Sequence, residues 1–289
     1  MQTPAPTDYA RATSLAHALQ LLADGGDDSR VIAGGHSLIP MMRLRLARPE
    51  LLVDINDLDE LKTIRIEGDE IVIGAMVRHK DVLESPILSE HYPIFAECER
   101  VIADPIVRNR GTVGGSMCQA DPSEDLSATG SALKGRVIIT SATGTRSVPI
   151  REFHQGPYET AVAQTEILTE VRFPIRPGAG SAYEKVERRV GDWPVASVGV
   201  YVVVRDKLVS DVGIGLTAVG ATHFCSPEAE NFLVGKAPTP ENLRAAGDLA
   251  AASCSPSSDQ RGPADYKRHL AGELTFRALT RAAAATQGV

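Results

Sequence analysis

The sequence predicts an α+β chain in two parts, and three observations carry that prediction. Segments of helical and of strand-like periodicity alternate through the N-terminal part, a proline- and glycine-bearing stretch at 174–180 interrupts them, and long strand-like runs followed by alanine-rich helical sequence complete the chain. In order, Leu15, Ala18, Leu19 and Leu22 recur at helical spacing within residues 11–24, and Gly25-Gly26 supplies the glycine stop. Val31-Ile32 is a short strand and 51–55 a buried one. Residues 62–67 and 70–74 alternate apolar and polar around Gly68-Asp69, a hairpin pattern. Residues 79–103 read as mostly helical, with breaks at Pro86 and Pro93. Strands follow at 136–140 and 146–150 around Ala142-Thr143-Gly144, and again at 166–174. Beyond the linker, 198–205 and 208–219 form two strands joined at Asp206-Lys207, and the remainder is helical. The domain boundary falls near residue 178. There is no internal repeat.

The 289 residues, 43% hydrophobic and 23% charged, suffice for a core without disulfide or metal support. A net charge of −7 gives no electrostatic case for nucleic acid. The local run Arg43-Leu44-Arg45-Leu46-Ala47-Arg48 reads as a solvated or partner-facing edge. Cys98, Cys118, Cys225 and Cys254 are too scattered for a CxxC motif or an iron–sulfur cluster, so any such cluster must sit on another polypeptide. Nothing resembles a signal peptide, which makes a reducing cytoplasm the expected compartment. No apolar run approaches the roughly 20 residues of a membrane helix, so membrane association would have to come through a partner.

Two glycine turns carry the chemistry. Ala33-Gly34-Gly35-His36-Ser37 and Thr112-Val113-Gly114-Gly115-Ser116 each follow an apolar, strand-like approach, and each strips side chains from the backbone. Such turns permit positive φ and let main-chain N–H groups approach a diphosphate closely. Asp121-Pro122-Ser123-Glu124-Asp125 follows the second, and carboxylates suit sugar hydroxyls. Gly213-Ile214-Gly215 with Gly220 has the wrong spacing for a dinucleotide fingerprint and lies within a strand pattern. No GxSxG, HExxH, zinc cluster or P-loop is present.

With Leu38-Ile39-Pro40-Met41-Met42 after the first turn and the Asp-Pro-x-x-Asp after the second, the chain resembles the FAD-binding medium subunits of molybdenum hydroxylases, most closely the carbon monoxide dehydrogenase type. The likeness continues through Asp8-Tyr9, Leu52-Val53-Asp54-Ile55, Ile102-Ala103-Asp104-Pro105, Tyr183-Glu184-Lys185, Val190-Gly191-Asp192-Trp193 and Asp259-Gln260-Arg261-Gly262-Pro263-Ala264-Asp265-Tyr266. The resemblance implies a two-lobed FAD-binding domain of the PCMH type over residues 1–176, with the cofactor in the groove between the lobes. An antiparallel sheet with packed helices over 179–289 would cover it. It also implies a small subunit with two [2Fe–2S] clusters, a large molybdenum–cytopterin subunit, a dimer of such heterotrimers, and an external acceptor such as a quinone. Carbon monoxide is the substrate expected for the complex, with nicotine, purine or aldehyde oxidation as alternatives. A free-standing flavin oxidase and a flavin-bearing scaffold are the rival classes.

Carried over residue by residue, the resemblance assigns both glycine turns, residues 33–37 and 112–116, to the flavin diphosphate and ribityl chain. Ser116 stands where relatives commonly have asparagine, and its hydroxyl can still form a hydrogen bond. Asp125 matches a carboxylate near the cofactor, Lys185 a lysine beside the flavin ring, and Ile102 and Leu168 apolar neighbours of the ring. Trp193, where relatives have tyrosine, would lie beside the isoalloxazine, with core packing as the rival role. His36 lacks a partner in sequence to orient it as an acid or base and reads as a wall or hydrogen-bonding residue. Asp121 is either a turn residue before Pro122 or a direct contact.

Overall fold

The computed structural model describes residues 3–220 and 224–286. The first lobe is a three-stranded parallel sheet in which β3 (Leu51–Asp54) is flanked by β1 (Asp8–Arg11) and β2 (Ser29–Ile32). Helix α1 (Leu15–Gly25) packs on it with Ala18, Leu19 and Leu22 because these share one helical face. Ser14 caps it by accepting from the His17 amide, and Gly26, at φ 63°, ends it. Strand β2 runs straight into the first glycine turn, which opens α2 (Leu38–Arg43).

The second lobe is built on an antiparallel sheet. The β4 (Ile64–Glu67) and β5 (Glu70–Gly74) hairpin turns at Gly68, and helices α3 (His79–Glu84), α4 (Pro86–His91) and α5 (Ile94–Val101) follow with the anticipated proline breaks. Three further helices replace what had no assigned structure: α6 (Pro105–Arg110), α7 (Val113–Gln119) and α8 (Asp125–Ala132). Strands β6 (Arg136–Ser141) and β7 (Gly144–Pro149), helix α9 (Ile150–Phe153), the small β8 (His154–Gly156) and β9 (Glu159–Thr160) pair, and β10 (Ile167–Pro174) complete it. The sheet order is β4-β5-β10-β6-β7.

The second glycine turn is therefore approached by a helix, where the sequence suggested a strand. Thr112 caps α7 by accepting from the Gly115 amide, so Gly114 and Gly115 occupy its first turn with no positive φ. Tertiary fit outweighs propensity there. A Cβ on Gly114 would lie 2.7 Å from the Ala75 Cβ, which makes glycine the residue that lets α7 rest on the end of β5.

The third sheet runs β11 (Gly180–Glu187), β12 (Pro194–Arg205), β13 (Leu208–Thr217) and β14 (Phe224–Cys225), all antiparallel. Asp206 and Lys207, both at positive φ, make the tight β12–β13 connection. Helices α10 (Pro227–Leu233), α11 (Pro240–Ser253) and α12 (Ala264–Ala284) cover one face, with Leu274 and Ala278 meeting the valines of β12. Helix α8 of the second lobe covers the other. A Cβ on Gly213 would sit 1.9 Å from the Ala132 carbonyl oxygen, and one on Gly215 2.1 Å from that of Ala128. These glycines give α8 a close seat, which is their role in the strand. Among the described residues, no helix is long and apolar enough to cross a membrane.

Candidate functional site

A cleft of about 860 Å³ lies between the first two lobes and extends to the connection between β11 and β12, a volume within the usual range for cofactor sites. Its first wall is the turn at residues 33–37. Gly35 has φ 75°, a left-handed conformation that suits glycine, and Gly34 packs so tightly on the opposite lobe that a Cβ would meet the Arg110 carbonyl oxygen at 2.3 Å. The lobes are pinned beside this contact: Asn56 Nδ2 donates to the Ala33 carbonyl (2.7 Å), Arg78 Nη2 donates to Asn56 Oδ1 (2.7 Å), and Arg78 Nη1 donates to the Arg110 carbonyl.

The two turns differ in what they offer a ligand. In the second, the Val113 amide donates to Val77, Gly114 to Ala75, Gly115 to the Thr112 hydroxyl and Ser116 to the Thr112 carbonyl. The backbone donors of residues 113–116 are spent within the protein. In the first, the amides of Gly34, Gly35, His36 and Ser37 donate to no protein acceptor among the described residues. The expectation that both turns present backbone N–H groups thus holds for one. The first turn is a cradle of free donors suited to a diphosphate, and the second is a side-chain-free wall carrying the Thr112 and Ser116 hydroxyls.

Of the residues singled out in the sequence, Ala33, Gly34, Gly35, His36, Ser37, Ile102, Thr112, Gly114, Gly115, Ser116, Asp125, Leu168 and Trp193 line this cleft. Val113 and Lys185 do not. Val113 is 2% exposed and belongs to the core of the second lobe, because its place in α7 turns it inward. Lys185 stands one layer behind the wall: its Nζ donates to the Val101 carbonyl (2.8 Å) and to Asp125 Oδ2 (2.9 Å), with Glu187 Oε2 at 3.3 Å. His36 is exposed and reaches the Gly34 carbonyl through Nδ1 at 3.1 Å, a contact that shapes the turn. Asp121 accepts from the Ser123 amide and the Tyr158 hydroxyl and is absent from the lining, so it is a turn residue.

Asp125 is the charged centre of the inner wall. It begins α8, accepts from the Tyr183 hydroxyl at 2.6 Å as well as from Lys185, and faces the cleft. Burial raises its pKa to about 6, against the pull of Lys185. Trp193, 42% exposed at the cleft, is not a core residue. Trp193→Ala should therefore cost only about 0.5 kcal/mol of stability, as surface changes do, while changing the fluorescence of a flavin bound in the cleft. A large loss of stability with unchanged flavin emission would return Trp193 to the packing role.

Sequence reasoning missed the His79–Glu99 pair, which joins helices α3 and α5 under the second wall. It also missed Arg30 and Gln164, which join β2 to the loop before β10 at the cleft. Nothing local in the sequence couples either pair. Among the described residues, no group of three or more His, Cys, Asp or Glu is placed to hold a metal ion.

Comparison with known proteins fits this geometry. A family model described as the FAD binding domain in molybdopterin dehydrogenase matches residues 5–176, and one described as the CO dehydrogenase flavoprotein C-terminal domain matches 181–282. The carbon monoxide dehydrogenase medium chain of Hydrogenophaga pseudoflava is 42% identical, covering 96% of this chain and 98% of the relative. That of Afipia carboxidovorans is also 42% identical, covering 97% and 98%. A solved structure of carbon monoxide dehydrogenase from Hydrogenophaga pseudoflava, lacking the Mo-pyranopterin moiety, superposes with a TM-score of 0.96 at 42% identity, over 99% of this chain and 100% of that one.

Proposed function

Because the chain belongs to the family of FAD-binding medium subunits of molybdenum hydroxylases, which are oxidoreductase components, we propose that it is the electron-transfer flavoprotein of a carbon monoxide dehydrogenase complex. In this reading electrons arrive from [2Fe–2S] clusters of a small partner subunit and leave for an external acceptor such as a quinone. The large molybdenum–cytopterin subunit oxidises the substrate, and two such heterotrimers pair. The complex works in the cytoplasm, or at a membrane face through its partners. The observation that carries the reading is the end-to-end identity with two carbon monoxide dehydrogenase medium chains.

The residues present fit FAD. The free amides of the first glycine turn suit its diphosphate, and the smooth second turn lets the cofactor lie against the backbone. Ile102, Leu168 and Trp193 supply the apolar flank that a flavin ring needs, and the Asp125–Lys185 pair supplies fixed charge behind it. FAD, when bound, supplies the redox chemistry; the protein orients it and sets its electrostatic surroundings. Residues 1–176 would hold the cofactor and 179–289 would cover it and meet the partner subunits.

The purified chain alone, loaded with FAD, should show no flavin bleaching under anaerobic carbon monoxide, whereas the complex reconstituted with its two partners should bleach. Dithionite should reduce the flavin in both. Bleaching of the isolated chain by carbon monoxide would overturn the subunit reading in favour of a self-contained oxidase. A reconstituted complex that responds to a nitrogen heterocycle or an aldehyde and not to carbon monoxide would overturn the substrate.

A further inference from the structure

The cleft wall hides a charged device. His79 opens α3 and is 3% exposed, with Nδ1 at 3.0 Å from both Glu99 carboxylate oxygens. That arrangement fixes the ring, so its other nitrogen is aimed by the protein: Nε2 lies 3.4 Å from Ser116 Oγ, and both residues line the cleft. The ring sits where the two glycine turns meet. The His79 amide donates to the Gly111 carbonyl, a Cβ on Gly111 would touch the ring at 2.7 Å, and a Cβ on Gly34 would touch the Gly111 Cα at 2.9 Å.

The cleft's charge makes this position consequential. Glu124, Asp125, Glu159, Glu166 and Asp192 line it, against Arg30 and the histidines 36 and 79. Arg30 is tied to Gln164 and to backbone carbonyls, and His36 is exposed. His79 is the one buried basic side chain among the lining residues described. A diphosphate entering here meets a wall whose backbone donors are already engaged on the α7 side, so that side must answer it with side chains.

We propose that His79, held as an imidazolium by Glu99, is the buried cation that binds the cofactor's diphosphate by way of the Ser116 hydroxyl, on the reading of this cleft as the FAD site. Burial drives the imidazole pKa down, but the charge and hydrogen bond of Glu99 outweigh it, with Glu124 assisting and Arg108 opposing, and the pKa stands above its ordinary value. Burial raises the Glu99 carboxyl as well, against the pull of His79. Deprotonation removes the cation, and diphosphate affinity should fall as pH rises.

The test uses the full-length apo chain with three probes: FAD, ADP-ribose, which keeps the diphosphate and lacks the flavin, and riboflavin, which lacks the diphosphate. His79→Gln should weaken FAD and ADP-ribose alike by about tenfold or more, leave riboflavin unchanged, and flatten the fall of FAD affinity with rising pH that the unaltered chain is expected to show. A folded His79→Gln chain with unaltered affinity for both diphosphates, or with an equal loss for all three probes and an unaltered pH profile, overturns the proposal. Should His79→Gln fail to fold, Ser116→Ala decides: selective loss of the two diphosphates supports the relay, and no loss or an unselective one overturns it. An unaltered chain that binds ADP-ribose and not FAD would refute the flavin reading and leave this one standing, while one that binds neither would refute both.

Discussion

Alanine at position 34 is expected to empty the cleft of FAD. The added Cβ would stand 2.3 Å from the Arg110 carbonyl oxygen and 2.9 Å from the Gly111 Cα, and both are backbone atoms of the facing lobe. No rotamer can relieve a backbone clash, so the lobes must part at the point where Asn56 and Arg78 pin them. The free amides of the first turn then lose their registry with the wall across the cleft. The dissociation constant for FAD should rise at least about a hundredfold, equivalent to roughly 2.7 kcal/mol. Gly68→Ala is the matched control. It places alanine at a positive φ, a strain that Gly34 does not carry, but nothing lies within 4 Å of its Cβ, so it should cost about 1 kcal/mol of stability and leave FAD binding intact. Flavin retained through gel filtration reports both, and tight retention by Gly34→Ala would show that the lobes are not held at this contact.

Lys185→Met should be the most destabilising single change near the site. The Lys185 side chain is 2% exposed and stands between the Asp125 and Glu187 carboxylates, so its removal leaves two acids without their cation. Breaking a buried pair from one side costs about 3–5 kcal/mol. The pH dependence gives the cause. Burial already raises Asp125 from 3.8 to about 6, so between those values the folded chain holds a proton that the unfolded chain has released, and stability falls as pH climbs through that window. Without Lys185 the window extends upward. Urea unfolding should therefore show a deficit at pH 8 that shrinks markedly at pH 5. A deficit equal at the two pH values would mean lost packing and not an orphaned charge.

Strand β6, the second half of β10 and α1 were legible because their burial is one-sided: the strands alternate by residue, and α1 carries a stripe with a serine cap and a glycine stop. Helix α8 was illegible for the opposite reason. Every residue from Asp125 to Ala132 is buried, between the core of its own lobe and the third sheet, and its Ser, Thr, Gly and Ala side chains show no polar face for periodicity to detect. The second Gly-Gly read as a breaker because its helical conformation depends on Ala75, which lies far away in sequence. At the site, the glycine turns were readable from local motifs, while Ile102, Asp125 and Trp193 were carried over from the resemblance and line the same cleft. Lys185 was expected beside the flavin ring and stands one layer behind the cleft wall, on Asp125, and His79–Glu99 escaped because only the packing of α3 on α5 brings its members together.

The glycine seat under α8 means that the covalent seam at 174–180 is not a mechanical one. Gly213 and Gly215 let the third sheet grip the helix whose first residue, Asp125, faces the cleft. A substitution on β13 therefore has a route to the cofactor's surroundings that touches no lining residue: it can displace α8 along its seat and move a carboxylate. The C-terminal part acts as the mounting plate of the site, and relatives could retune the flavin from there while keeping both glycine turns unchanged.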